Sequence, residues 1–260
     1  MKIKEVIQAL ERFAPLPLQD GFDNAGLQVG LTEAEATGAL LCLDVTEAVV
    51  DDAITRGYNL IISHHPLVFK GLKSITGRTY VERCLLKAIK NDIVVYSAHT
   101  NLDNAPGGVN YKIAEKIGLE NVRILEPKEG EEEAGSGVVG ELKEAETEGD
   151  FLRRVKKTFE VGCLRHNHLN GRLIRRVALC GGAGAFLLPN AVAADADVFI
   201  TGEVRYHDYF DYEDRILIAE IGHYESEQYT KEIFYSIIRE MCPALEVEMT
   251  RVNTNPIKYL

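Results

Sequence analysis

The stretch NLIISHHPLVFKG, residues 59–71, decides the fold. Leu60, Ile61 and Ile62 form a short continuous apolar run, which reads as a buried strand. The run stops at Ser63, and two adjacent histidines, His64 and His65, follow before Pro66. Within a strand, neighbouring side chains point to opposite faces. Pro66 biases His65 toward extended or polyproline geometry. Once the chain leaves the strand, strict alternation lapses, and two neighbouring imidazoles can address two nearby points.

Working outward, short apolar runs of the same kind recur at 40–43, 93–96, 177–179, 198–200 and 216–219. Between them lie helical patterns: 46–56 with a Thr cap and Gly57 as stop, 80–90, 109–117 with Gly118 as stop, 151–159, 186–194, and a long one at about 225–241. Helices alternating with nearly continuous apolar strands imply an α/β fold with mixed, largely parallel sheets flanked by helices.

The chain has 260 residues, enough for one large domain or two ordinary ones. Its net charge of −11 argues against nucleic-acid binding. Most of that charge sits in residues 126–150, EPKEGEEEAGSGVVGELKEAETEGD, without which the balance is −3. The segment reads as a solvated connection with one short strand at 137–142, and so as the domain junction. The expected division is 1–128 plus 216–260 as a discontinuous metal-binding domain, and 129–215 as a smaller second domain. No apolar stretch is long enough to span a membrane, and the start, with Ile3, Val6, Ile7, Leu10 and Phe13 on one face, reads as an amphipathic helix rather than a leader. Five cysteines with no CxxC pair read as free thiols, which suits a reducing cytoplasm.

In α/β sheets, sites gather at the carboxyl ends of strands. Three strand ends here carry metal-ligand side chains. ISHHP supplies His64 and His65, IVVYSAHTNLDN supplies His99 and Asp103, and ILIAEIGHYESEQ supplies His223 and Glu227. His223 and Glu227 are four apart, so a helix starting there puts both on one face, with Gly222 allowing the sharp turn before it. A mixed set of histidines and carboxylates suits a two-metal hydrolytic centre better than a single structural zinc, because a carboxylate can bridge. His166 and His168 in CLRHNHLN read as a polar loop. The Gly-rich turn in LCGGAGAFLLPNA lacks the lysine of a phosphate-binding loop; it is either a tight turn or a place where amides approach a ligand. Glu203 and His207, at helical spacing after another strand, are second candidates for the same cavity.

In sequence order, FDNAGLQVG, LDVTEAVVDDAI, ISHHPLVFKGLKSIT, SAHTNLDNAPGGVN, ALCGGAGAFLL, ITGEVRYHD, GHYESE and NTNPIKYL resemble the NGG-interacting-factor-three-like family, whose bacterial members are labelled GTP cyclohydrolase 1 type 2 homologs. The resemblance implies two α/β domains with a dinuclear metal site in the cleft, and a ring-shaped homohexamer. Carried over position by position, it implies His64, His65, Asp103, His223 and Glu227 as ligands of two divalent ions (Zn, Fe or Mn), with Glu227 bridging and His99 close by in a catalytic role. The function it implies is a metal-dependent hydrolase of a nucleotide-like or phosphate-bearing small molecule. The alternative is a non-catalytic metal-binding oligomer.

Overall fold

The computed structural model describes all 260 residues, which divide into two compact units. Unit 1 comprises Met1–Leu102 and Thr230–Pro256; unit 2 comprises Asp103–Tyr229 and Ile257–Leu260. The chain opens with helix α1 (Ile3–Phe13), strands β1 (Gly26–Val29) and β2 (Ala39–Cys42), helix α2 (Glu47–Arg56), strand β3 (Leu60–Ser63), helix α3 (Tyr80–Lys90), strand β4 (Val94–Ser97) and the single turn α4 (Thr100–Asp103), across which it passes into unit 2. There follow α5 (Val109–Ile117), β5 (Leu119–Lys128), β6 (Glu131–Thr147), α6 (Glu148–Thr158), β7 (Arg165–His166), β8 (Leu173–Cys180), α7 (Leu188–Ala193), β9 (Val198–Thr201), β10 (Leu217–Glu220) and α8 (His223–Glu227). Helix α9 (Thr230–Met241) and β11 (Val247–Met249) return to unit 1.

Unit 1 is a five-stranded sheet in the order β1-β4-β3-β2-β11, with β1 antiparallel to β4 and the other pairings parallel. Strand alternation sends Leu40 and Cys42 of β2, Ile61 of β3 and Val95 of β4 into one core with Val49, Val50 and Ala53 of α2 and Cys84, Leu85 and Ala88 of α3. Both faces are covered, since α9 packs on β2 and on α1, which is why these strands read as unbroken apolar runs. The Thr46 hydroxyl accepts from Val49 N and Gly57 closes α2 in the left-handed region. Such an N-cap contributes about 1 kcal/mol. The expected helix bounds at 80–90 and 109–117 are those observed.

Unit 2 is a six-stranded sheet in the order β5-β6-β8-β9-β10-β7. Only β8, β9 and β10 run parallel; β5, β6 and β7 pair antiparallel. This sheet is mixed, as expected, but not largely parallel, since three of its five pairings are antiparallel. The cause lies in the acidic segment 126–150, which is not a solvated junction: most of it is the seventeen-residue strand β6, forming a hairpin with β5. The chain therefore crosses between units after residues 102 and 229, not at 128 and 215, because β5 and β10 are both strands of the second sheet. The helix expected at 225–241 is two helices, α8 and α9, with the second crossing between them. Four of the five free cysteines are buried and Cys163 is exposed. No helix is long and apolar enough to cross a membrane.

Candidate metal centre

In unit 1 the parallel pairing aligns Cys42, Ser63 and Ser97 as the last residues of β2, β3 and β4. The next residues of each strand therefore emerge at one edge: Asp44, His64 and His65, and His99. The chain is turned over that edge by His64 N and His65 N, which donate to Leu43 O at 3.2 and 3.0 Å. The Ser63 and Ser97 hydroxyls, 2.7 Å apart and buried, tie β3 to β4 directly beneath. The three imidazoles cluster with ring centroids 4.9, 5.2 and 5.4 Å apart. One potential ligand atom from each lies within 4.8 Å of the others.

What each ring does with its other nitrogen is more informative. His64 Nδ1 is 2.9 Å from Ala98 O. A carbonyl only accepts, so this nitrogen carries the proton and Nε2 keeps its lone pair. His65 Nδ1 is 2.7 Å from Asp44 Oδ1. Burial pushes the Asp44 carboxyl up, but hydrogen bonds from His65 and Thr254 hold it below the usual range, so it too is an acceptor. His99 Nδ1 is 2.7 Å from Asp23 Oδ1. The Asp23 side chain is fully buried, which by itself would raise its pKa, yet the hydrogen bonds from His99 and Thr100 bring it down to about 2. Three rings thus have Nδ1 fixed by an oxygen acceptor, the arrangement that orients metal-binding histidines to ligate through Nε2. His64 is wholly buried, a position that an imidazole without a compensating role would disfavour.

Unit 2 repeats the logic. The register of β8, β9 and β10 aligns Cys180, Thr201 and Glu220, so Gly181–Gly182, Gly202–Glu203 and Gly222–His223 emerge at one edge. Gly222 takes φ +96°, which allows the chain to turn from β10 straight into α8. His223 and Glu227 then share one face, with Nε2 and Oε2 3.1 Å apart. His223 Nδ1 is held by Glu203 Oε1 at 2.9 Å. With the proton at Nδ1, the Nε2 lone pair and the Glu227 carboxylate face each other, which is favourable only with a proton or cation between them. The structure thus holds groups of His and Glu side chains fitted to a metal ion, and imidazole with carboxylate suits zinc, iron or manganese.

The Gly-rich turn after β8 is a tight turn that supports Glu227. The Gly181 and Gly182 amides are taken by Asn110 Oδ1 and Ser226 Oγ, both at 3.0 Å. A Cβ on Gly182, whose φ is +58°, would stand 2.3 Å from Glu227 Oε1.

Asp103 ends α4, immediately after the first crossing, and its carbonyl accepts from Asn110 Nδ2 at 3.1 Å. His207 pairs with neither His223 nor Glu203: its ring packs against Tyr206, 5.2 Å between centroids, on the 3-10 helix Tyr206–Tyr212, which has no buried residue. His166 pairs in the edge strand β7 and its Nδ1 lies 2.7 Å from Asn167 O, while His168 is exposed in the following loop. Sequence reading did not find Asp23 and Asp44. They lie 76 and 21 residues from the histidines they hold, and only the sheet register links them.

A model of the Duf34/NIF3 (NGG1p interacting factor 3) family matches residues 1–256. A Clostridium perfringens protein named GTP cyclohydrolase 1 type 2 homolog is 39% identical over 228 residues, covering 87% of each chain. A Lactococcus lactis protein of the same name is 32% identical over 260 residues, covering 98% of each. Among solved structures, a hypothetical protein of Staphylococcus aureus superposes with a TM-score of 0.93 at 30% identity, over 100% of this chain and 99% of that one. On the match of sequence and fold alike, the chain belongs to the Duf34/NIF3 family.

Proposed function

We propose that this protein is a metal-dependent hydrolase with a dinuclear centre, with His64, His65, Asp103, His223 and Glu227 as ligands of two divalent ions and Glu227 as the bridge. The observation that carries the reading is the fixing of four imidazoles, His64, His65, His99 and His223, each through Nδ1 to an oxygen acceptor.

Bound there, a divalent pair would lower the pKa of water and polarise a phosphoryl or ring-carbon bond. The chain's own residues do the rest. Glu203, Asp44 and the Ala98 carbonyl hold the ligand rings in one tautomer. His99 takes or gives a proton at Nε2, with the Asp23 carboxylate stabilising the imidazolium as it forms. The substrate class is a nucleotide-like or phosphate-bearing small molecule, in keeping with the name of the relatives. The assembly proposed is a toroidal homohexamer in the cytoplasm.

The test is a screen of nucleotides and phosphoesters with protein stripped by chelator and reloaded with zinc, manganese or iron. At least one compound should turn over only in the loaded protein. His99→Gln should keep its metal and lose about 10²–10⁴ in turnover, the usual scale for a general acid or base. Loaded protein that turns over nothing would favour the non-catalytic metal-binding oligomer. Loss of metal in His99→Gln would make His99 a ligand.

A further inference from the structure

Residues 66–79, PLVFKGLKSITGRT, link β3 to α3 and hold Lys70, Lys73 and Arg78 without a single acid, in a chain of net charge −11. The nearby cations of α3 are paired, Arg83 with Glu47 and Lys87 with Asp51. Lys70 and Lys73 enter no salt bridge and project from an exposed loop. The root of the loop is nevertheless fixed. Asn24 Nδ2 donates to Val68 O at 2.6 Å and Val68 N donates to Gln28 Oε1 at 3.1 Å. These bonds place Phe69 edge-on to His99, with centroids 6.1 Å apart at 85°. Phe22 in turn meets Phe69 at 6.4 Å and 63°. Phe22 directly precedes Asp23, the residue that holds His99. A row of rings therefore leads outward from the histidine cluster, and its outer members are left in water, Phe69 43% and Phe22 69% exposed. Two phenyl rings kept exposed in edge-to-face contact, one of them on the loop that carries two unpaired lysines, give this surface both an apolar and a positive character.

We propose that this loop docks a planar ring bearing an anionic group, with Phe22 and Phe69 stacking the ring and Lys70 and Lys73 meeting the anion. The inference rests on the reading of the histidine cluster as the reacting end of the site, and adds to it the residues that select the substrate. Stacking on an aromatic side chain strengthens binding by about tenfold per ring. The lysine contribution is electrostatic and exposed, so it fades with salt.

The test is calorimetric titration of the full-length, metal-loaded protein with 5′-AMP, adenosine and ribose 5-phosphate. AMP should bind at least about tenfold tighter than either fragment. Phe69→Leu and Phe22→Leu should each weaken AMP by about three- to tenfold and leave ribose 5-phosphate unchanged. The double variant Lys70→Gln, Lys73→Gln should weaken AMP and ribose 5-phosphate by about tenfold, flatten their salt dependence and spare adenosine. Metal content should be that of the wild type in all of them, and their circular dichroism unaltered. AMP binding no tighter than adenosine, or indifferent to these four side chains, would overturn the assignment, as would no binding of AMP at millimolar concentration. The two readings fail separately. Binding of AMP through these residues in a protein that holds no metal would leave the loop assignment standing and remove the hydrolase. Metal-dependent turnover untouched by the loop variants would do the reverse.

Discussion

Glu227→Gln is expected to lower the metal content of the purified protein at least about tenfold and to remove hydrolysis with it, by about 100-fold or more. The amide keeps the length and the helical position of the side chain. It loses the charge that balances two cations and most of the ability to bridge them. It also removes the counter-charge 3.1 Å from His223 Nε2. The fold should survive, because Glu227 lies on the five-residue helix α8 and outside both sheets. Elemental analysis and thermal melting on the same preparation check both halves of the expectation. His168→Ala, in an exposed loop, should change neither quantity. A Glu227→Gln protein with full occupancy and activity would refute the bridging role.

Gly182→Ala should reach the same phenotype by a different route. A Cβ at this position would stand 2.3 Å from Glu227 Oε1, and 3.4 Å from the His223 ring. Glu227 must then move, and its hold on metal should fall by about tenfold. The substitution also forces alanine into the left-handed region, a cost of about 1–2 kcal/mol. Gly171→Ala separates the two effects. Gly171 has φ +74° but nothing within 4 Å of an added Cβ, so it should lose similar stability and keep its metal. Equal metal loss in both variants would mean that destabilisation, not displacement of Glu227, is the cause.

Much of this architecture was legible in the sequence where two signals agreed. Helices α2 and α5 announce themselves by apolar spacing together with a Thr cap and Gly57 in one and Gly118 in the other. The parallel strands announce themselves because burial on both faces removes alternation. The β5–β6 hairpin was hidden for the opposite reason: EEEAGSG begins with three exposed glutamates and continues in small residues, and its strand geometry is imposed by neighbours rather than by its own side chains. That segment displaced the first expected domain boundary, and the place of β10 in the same sheet displaced the second. In the site, residue types adjacent to strand ends were readable, and so was the i,i+4 pairing of His223 with Glu227. The acceptors Asp23 and Asp44 were not, since nothing local marks an aspartate as the partner of a histidine on another strand. Glu203 was noticed for the wrong spacing: it works with His223, twenty residues on, and not with His207.

The central claim is the proposal that His64, His65, Asp103, His223 and Glu227 hold two divalent ions. Stoichiometric metal analysis of the reloaded protein, in the wild type and in His223→Ala, tests it most directly. Two divalent ions per chain are expected in the wild type, with occupancy falling to one or none when His223 is removed. A single ion per chain, retained in full by His223→Ala, would mean that the His64, His65 and His99 cluster binds metal alone, and would contradict the dinuclear centre.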